Sequence, residues 1–372
     1  MANRYWGGGA GVWSTVDTTH WYSDAALTTL AGAVPSAADS VFFQQVATYT
    51  VTMTGALLCL DITVSAGTVT FATGTTPTLA VSGSMLLVAG TVWSSTGAIT
   101  FNAATTGKTI TTNGTTLNGA VTFSTAAGGW SLGSNLTVAA TLTTTLTGGA
   151  LTLNTFTLTT GLFATGGALA RSIAFGSTNI VLNAASGTVL SAAVLGGFTY
   201  TGTGGFTADA SVIRTYSVGS TSGGTTTNAP NLSITGSGTA IPVLTTASWF
   251  NTLSFGSTVF TLAATSLNLN SLTLSNGVGA SYVNLTPTMV GTGTITSNGN
   301  TTLTNLTINS TSGTTTLAAD FALTLTSTTT LTSGTLALGT FTLSTGIFSS
   351  SSAVTRAISF GTGNIALTHT TA

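Results

Sequence analysis

Residues 109–187 of this chain align without a gap on residues 294–372, every position shifted by 185, as Arg171 is from Arg356. Leu151-Thr-Leu-Asn-Thr-Phe-Thr-Leu-Thr-Thr-Gly161 becomes Leu336-Ala-Leu-Gly-Thr-Phe-Thr-Leu-Ser-Thr-Gly346. A long internal repeat marks a stacked architecture, in which each unit buries its apolar face against the next. Shorter echoes lie inside it. Gly67-Thr-Val-Thr-Phe71, Gly97-Ala-Ile-Thr-Phe101 and Gly119-Ala-Val-Thr-Phe123 are three copies of one strand. Asn231-Leu-Ser-Ile-Thr235, Ser271-Leu-Thr-Leu-Ser275 and Asn305-Leu-Thr-Ile-Asn309 are copies of another. Alternation of Leu, Val, Ile or Phe with Thr or Ser puts apolar side chains on one face and hydroxyls on the other.

These spacings predict an all-β chain, a parallel β-helix (β-solenoid) with coils of about 20 residues and about 16 coils, on the inter-strand geometry of stacked strands. Leu, Ile, Val and Phe fill the interior. Thr forms outward ladders, and Asn113 and Asn298 stack at corners. The solenoid occupies 46–372. Residues 1–45 form a small aromatic-rich module, where Tyr5, Trp6, Trp13, Trp21 and Tyr22 gather. A solenoid needs its end covered against open strand edges, and aromatics suit that plug. Trp6, Trp13, Trp21 and Tyr22 are the residues expected to anchor the module to a larger assembly. Ser220–Pro242, rich in Gly, Thr and Pro, reads as a loop or bulge projecting from the rod, because Pro230 and Pro242 cannot sit in a central ladder.

Composition narrows the function. Charged residues are 3% of the chain, against about 25% in an ordinary domain. All six acidic residues are Asp, and the net charge is −1. That balance offers no attraction to nucleic acid or an anionic bilayer. No run of residues is long and apolar enough for membrane insertion. The opening Met1-Ala-Asn-Arg-Tyr-Trp lacks the apolar stretch of a secretory signal. The one cysteine, Cys59, sits in Ala56-Leu-Leu-Cys-Leu60 and reads as a small buried hydrophobe.

No catalytic residue is expected. Glycoside cleavage needs two carboxyl groups about 5 to 10 Å apart. Of the solenoid carboxylates Asp61, Asp209 and Asp320, the last two are separated by several coils, on the order of 25 Å. His20 lies in the N-terminal module and His369 at the other end, so no triad forms. No Cys/His cluster or Asp-rich repeat holds a metal, and no cofactor is expected.

One heptad recurs with a basic head: Arg171-Ser-Ile-Ala-Phe-Gly-Ser177, Arg214-Thr-Tyr-Ser-Val-Gly-Ser220 and Arg356-Ala-Ile-Ser-Phe-Gly-Thr362. Two roles fit. The guanidinium groups receive acidic groups of a glycan, or they cap turn carbonyls and lie over aliphatic surface. Unequal spacing, and a copy at Asn251 without the arginine, favour capping. Tyr200, Arg214 and Tyr216 are the residues expected to touch a glycan if one binds.

The opening Arg4-Tyr-Trp-Gly-Gly-Gly-Ala-Gly-Val-Trp13, with His20-Trp21 and Val34-Pro-Ser-Ala-Ala-Asp-Ser-Val-Phe-Phe43, resembles that of a group of tailed-bacteriophage virion-associated proteins. Thr109-Ile-Thr-Thr-Asn-Gly114, Trp130-Ser-Leu-Gly133 and Arg171-Ser-Ile-Ala-Phe-Gly-Ser-Thr-Asn179 resemble their β-helical repeats. The resemblance implies a virion structural protein, tail-fibre-like, made in the host cytoplasm. Its partners would be other virion proteins, through the N-terminal module, and host surface polysaccharide. A homotrimer is common among such fibres, and no residue pattern here requires it. Three other readings stay open: a tailspike depolymerase with an intersubunit site, a bacterial surface adhesin, and a capsid decoration fibre.

Overall fold

The structure, a computed structural model, describes residues 1–222, 224–236, 242–245, 247–256, 265–274, 285–297 and 303–369. Among these residues there is no helix, and stacked parallel coils make a β-solenoid of about 13 turns. The chain divides into two compact units, residues 1–184 with 197–204 and residues 185–196 with 205–372.

In the first unit, period-two alternation translates directly into layers. Ala98–Phe101 pairs in parallel with Val121–Leu132, setting Ile99 beside Val121, Thr100 beside Thr122 and Phe101 beside Phe123. The next coil adds Thr144, Thr145 and Leu146 to those columns. Phe101, Phe123 and Leu146 are fully buried, while Thr100, Thr122 and Thr145 line up on the outer face. Each buried Phe contributes roughly 1.5–3 kcal/mol by leaving water.

Coil length varies. Val41 lies beside Ile62, Ile62 beside Met85, Met85 beside Ile110 and Ile110 beside Leu132, and no two of these steps are equal. In the second unit the steps from Leu253 to Leu272, to Ile295 and to Leu317 are also unequal. The step there from Thr215 to Val243 is longer than any of these. Corners that carry extra turn residues lengthen most coils beyond the expected 20, so there are fewer of them.

The N-terminal segment belongs to the same layers. Asn3–Trp6 runs parallel to Ser40–Phe43, with Tyr5 beside Phe42. Gly11–Trp13 runs parallel to Thr48–Met53, with Trp13 beside Met53. Trp21–Tyr22 then covers the free edge of Asn3–Trp6 as an antiparallel strand. Reversing the strand direction there breaks the parallel template that an open edge would offer another chain.

The repeat is structural as well as sequential. Thr144 Oγ1 donates to Thr160 Oγ1 at 3.0 Å, and at the matching positions of the second copy Thr329 Oγ1 donates to Thr345 Oγ1 at 3.1 Å. All four are fully buried, so the expectation that threonines face outward fails at these positions. The hydroxyls go inside because they satisfy one another there. The two copies differ in their covering. Phe175 and Leu182 are 0% and 1% exposed, whereas Phe360 and Leu367 are 47% and 68% exposed.

One further expectation changes. Ser220–Pro242 is not one loop: Leu232–Thr235 is a strand paired with Phe206–Asp209 and Ser248–Phe255, and Pro230 and Pro242 are buried. Asn113 sits at a left-handed corner, φ 46°, where its Nδ2 donates to Leu87 O at 2.8 Å. Asn298 lies outside the described residues.

Candidate functional site

The N-terminal aromatics pack on one another. Trp6 meets Trp21 edge-on at 5.1 Å between ring centroids, and Trp13 meets Trp21 at 5.4 Å. Phe43 lies 5.8, 5.9 and 6.0 Å from Trp6, Trp13 and Trp21. Each such pair is worth about 0.5–1.5 kcal/mol beyond its area. The Trp6 indole N–H donates to Gly9 O at 2.8 Å. His20 stacks on the Trp6 ring at 4.8 Å and covers Gly11, where a Cβ would collide with His20 Nε2. Asp17 holds the other imidazole nitrogen at 3.3 Å.

Trp6, Trp13 and Trp21 are therefore buried. As placed, they cannot themselves touch a partner. Tyr22 is half-buried and lies against Gly7, where a Cβ would collide with its ring. The module's exposed apolar side chains include Val12, Val16 and Leu30.

Tyr200 falls in the first unit and Arg214 and Tyr216 in the second. Tyr200 is half-buried, 6.5 Å from Phe175 edge-on, and burial pushes its phenol up to about 12. Tyr216 is buried beside Leu190 and Leu244, and burial raises its phenol likewise to about 12. Arg214 is also buried; its Nη1 donates to the Asp209 carbonyl and lies 3.0 Å from Asp209 Oδ1. Hydrogen bonds from the Ser211 hydroxyl and N–H, then Arg214, hold the Asp209 carboxyl down at about 2. Of this set only Tyr200 reaches the surface; Arg214 and Tyr216 do not present a glycan-contacting face.

The heptad arginines all fold back onto the loop before their strand. Arg171 donates to Gly167 O at 2.9 Å, Leu169 O at 3.1 Å and Thr165 Oγ1 at 2.7 Å. Arg356 makes the same clasp, donating to Ser352 O, to Val354 O at 3.1 Å, and to Ser350 through both Oγ and O. The five-donor fork of a guanidinium suits several carbonyls at once. Capping, the reading favoured by the uneven spacing, is the geometry found.

The carboxylates are turn acceptors. Asp320 takes the Thr342 N–H at 2.8 Å; its counterpart in the first copy of the repeat, Asn135, takes the Thr157 N–H on Oδ1 at 3.0 Å. Asp24 takes the N–H groups of Thr28 and Thr29, and Asp17 that of Thr19. Asp39 takes Ala2 N–H and both Ser36 donors. Asp61 takes Ser84 N–H at 2.7 Å and the Ser40 hydroxyl at 2.8 Å. Sequence reading missed that Asp39 and Asp61 occupy adjacent coils, because it assigned Asp39 to a separate module. The visible signal is that each precedes a strand residue, Val41 or Ile62, in one register. No group of three or more potential metal ligands occurs among the described residues.

Neither a family model, nor a curated protein, nor a solved structure matches this chain.

Proposed function

We propose that this chain is a structural protein of a tailed-phage particle, a β-solenoid element of a tail fibre or similar appendage that contacts host surface glycans. The observation that carries the reading is where its few charged groups are used. All six aspartates accept hydrogen bonds at turns, and Arg171, Arg214 and Arg356 clasp the loop before their own strand. Polar chemistry in this chain is invested in holding coils in register, as suits a passive, stiff element. The resemblance of the opening and of the Thr/Gly repeats supplies the phage setting. An appendage present in many copies gains avidity from weak contacts without any strong single site.

Immunogold electron microscopy on a lysate of the source, with antibody raised against residues 46–372, tests this reading. Gold on the tails or fibres of particles is the expected result. Gold confined to cell envelopes overturns the virion assignment in favour of an adhesin, and gold on capsids favours the decoration fibre.

A further inference from the structure

Next to the buried Trp21, Trp6, Phe43, Ile62 and Met85 in the chain stand residues that take the outer face of the same strands. In the first unit these outward residues line up as one column. Leu30 bridges Tyr22, Tyr22 lies beside Tyr5, Tyr5 beside Phe42, Phe42 beside Thr63 and Thr63 beside Leu86. Five steps of about 4.8 Å make a stripe on the order of 24 Å long.

The stripe departs from the chain's own rule for outward positions. Thr100, Thr122 and Thr145 fill their column with hydroxyls, whereas Thr63 is the one aliphatic hydroxyl here, among two leucines and three rings. Leu30 and Leu86, at the two ends, are 56% and 40% exposed, and the rings between them are half-buried. A continuous apolar patch on an otherwise hydroxylated surface marks an interaction site.

The patch is also held in place. The Ala31 N–H donates to Trp21 O at 2.7 Å and the Ser23 N–H to Thr29 O at 2.9 Å, which fixes Leu30 against Tyr22. Tyr5 and Phe42 stack at 5.0 Å between ring centroids with 23° between their planes, and Asn3 Nδ2 donates to the Tyr5 hydroxyl at 3.1 Å. A surface ordered in advance loses little entropy when it is covered.

Charge, ring orientation and pitch choose the occupant. None of the six side chains is charged, so the stripe attracts neither an anionic nor a cationic partner, and two such stripes face to face oppose no like charges. Stacking turns the faces of Tyr5 and Phe42 toward each other, so their edges look outward and no open ring face is offered to a sugar. The side chains repeat at the strand spacing, and a second copy of the chain carries the identical stripe at the identical pitch, as a self-complementary contact requires.

We propose that a second copy of this chain docks here, stripe against stripe, so that Leu30, Tyr22, Tyr5, Phe42 and Leu86 of each copy cover one another. The contact goes beyond the virion reading and does not depend on it.

Sedimentation velocity on the full chain, from sub-micromolar to tens of micromolar, tests the contact. The parent should self-associate as concentration rises. Leu30→Lys/Leu86→Lys places cations at both ends of the stripe and should weaken association at least about tenfold, a loss of about 1.4 kcal/mol. Both side chains are exposed, so its melting temperature should stay near that of the parent. Val16→Lys, at an exposed apolar residue outside the stripe, should associate like the parent. A parent that stays monomeric throughout overturns the self-contact and leaves the stripe to a different protein. Association that persists in Leu30→Lys/Leu86→Lys, or that Val16→Lys abolishes equally, overturns it as well. None of these results alters where gold falls on particles, so failure of the contact and failure of the virion reading are told apart.

Discussion

Thr160 accepts the hydroxyl of Thr144 and passes its own proton to Leu162 O at 3.2 Å; Thr345 does the same for Thr329 and Ile347 O, at 3.0 Å to the carbonyl. Two hydrogen-bonded chains, one in each copy of the repeat, have one geometry. They stand in an interior filled mainly by aliphatic and aromatic side chains. Order along the chain matters: the second threonine is donor and acceptor, the first only a donor.

Thr160→Val should therefore destabilise more than Thr144→Val. It strands the Thr144 hydroxyl in the interior, a loss of about 1–3 kcal/mol. Thr144→Val removes a donor and leaves Thr160 bonded to its carbonyl. The double variant should cost less than the sum of the two, since it removes the stranded hydroxyl. Urea unfolding of the three variants measures this. Additive losses would contradict the bonded pair.

The Arg171 clasp makes a second prediction. Arg171→Ala uncovers two carbonyls and a buried threonine hydroxyl. Bonds to a charged group are worth about 1.5–3 kcal/mol, so a loss of about 3 kcal/mol is expected. Arg171→Lys should recover less than half, because an ammonium cannot fork across several acceptors. Full recovery by lysine in chemical denaturation would mean that charge, and not the fork, holds the loop.

Much of the fold was legible before any coordinates. Ile99-Thr-Phe101 and Val121-Thr-Phe123 alternate with period two, and their columns stack as that alternation requires. Arginine capping was legible too, from the irregular spacing of the heptads. Inward threonines were not. Thr144 and Thr160 read as soluble strand residues, and only the stacking of their coils turns them toward each other. Nor was the interior position of Trp6, Trp13 and Trp21: aromatic crowding announces a plug, but which rings face inward depends on Gly7 and Gly11 yielding room to Tyr22 and His20.

The Asp209 carboxyl supplies a pH dependence. Its folded value is about 2, below the ordinary carboxylate value near 3.8. A lowered folded value stabilises above the unfolded value, and that contribution is lost as pH falls through the folded one. Asp209→Asn should thus lower the melting temperature at pH 7, by an amount reduced by the solvent around this half-exposed side chain. The gap between variant and parent should narrow below about pH 4 and close near pH 2. A gap independent of pH would show that the negative charge is not what Ser211 and Arg214 hold.

The two repeat copies offer an internal control on burial. Phe175 is fully buried and Phe360 is 47% exposed. Phe175→Ala should cost about 3–5 kcal/mol, as large truncations in a packed interior do. Phe360→Ala should cost well under half of that, since much of its ring already meets water. Equal losses in parallel unfolding experiments would show that Phe360 is covered in solution as Phe175 is here.

Coil register is the claim on which the whole account depends, and Thr100, Thr122 and Thr145 measure it. They occupy one outward column, Thr100 beside Thr122 and Thr122 beside Thr145. Neighbouring strands lie about 4.8 Å apart, within the Cα separation that a disulfide tolerates, about 4.4–6.8 Å. Cys59 does not compete, because it is fully buried and burial, with Asp61 nearby, pushes its thiol up. The double variant Thr100→Cys/Thr122→Cys should cross-link readily on mild oxidation and keep its melting temperature. The shifted pair Thr100→Cys/Ser124→Cys should cross-link far more slowly. Faster closure of the shifted pair would contradict the register, and with it the stacked coils on which both proposals stand.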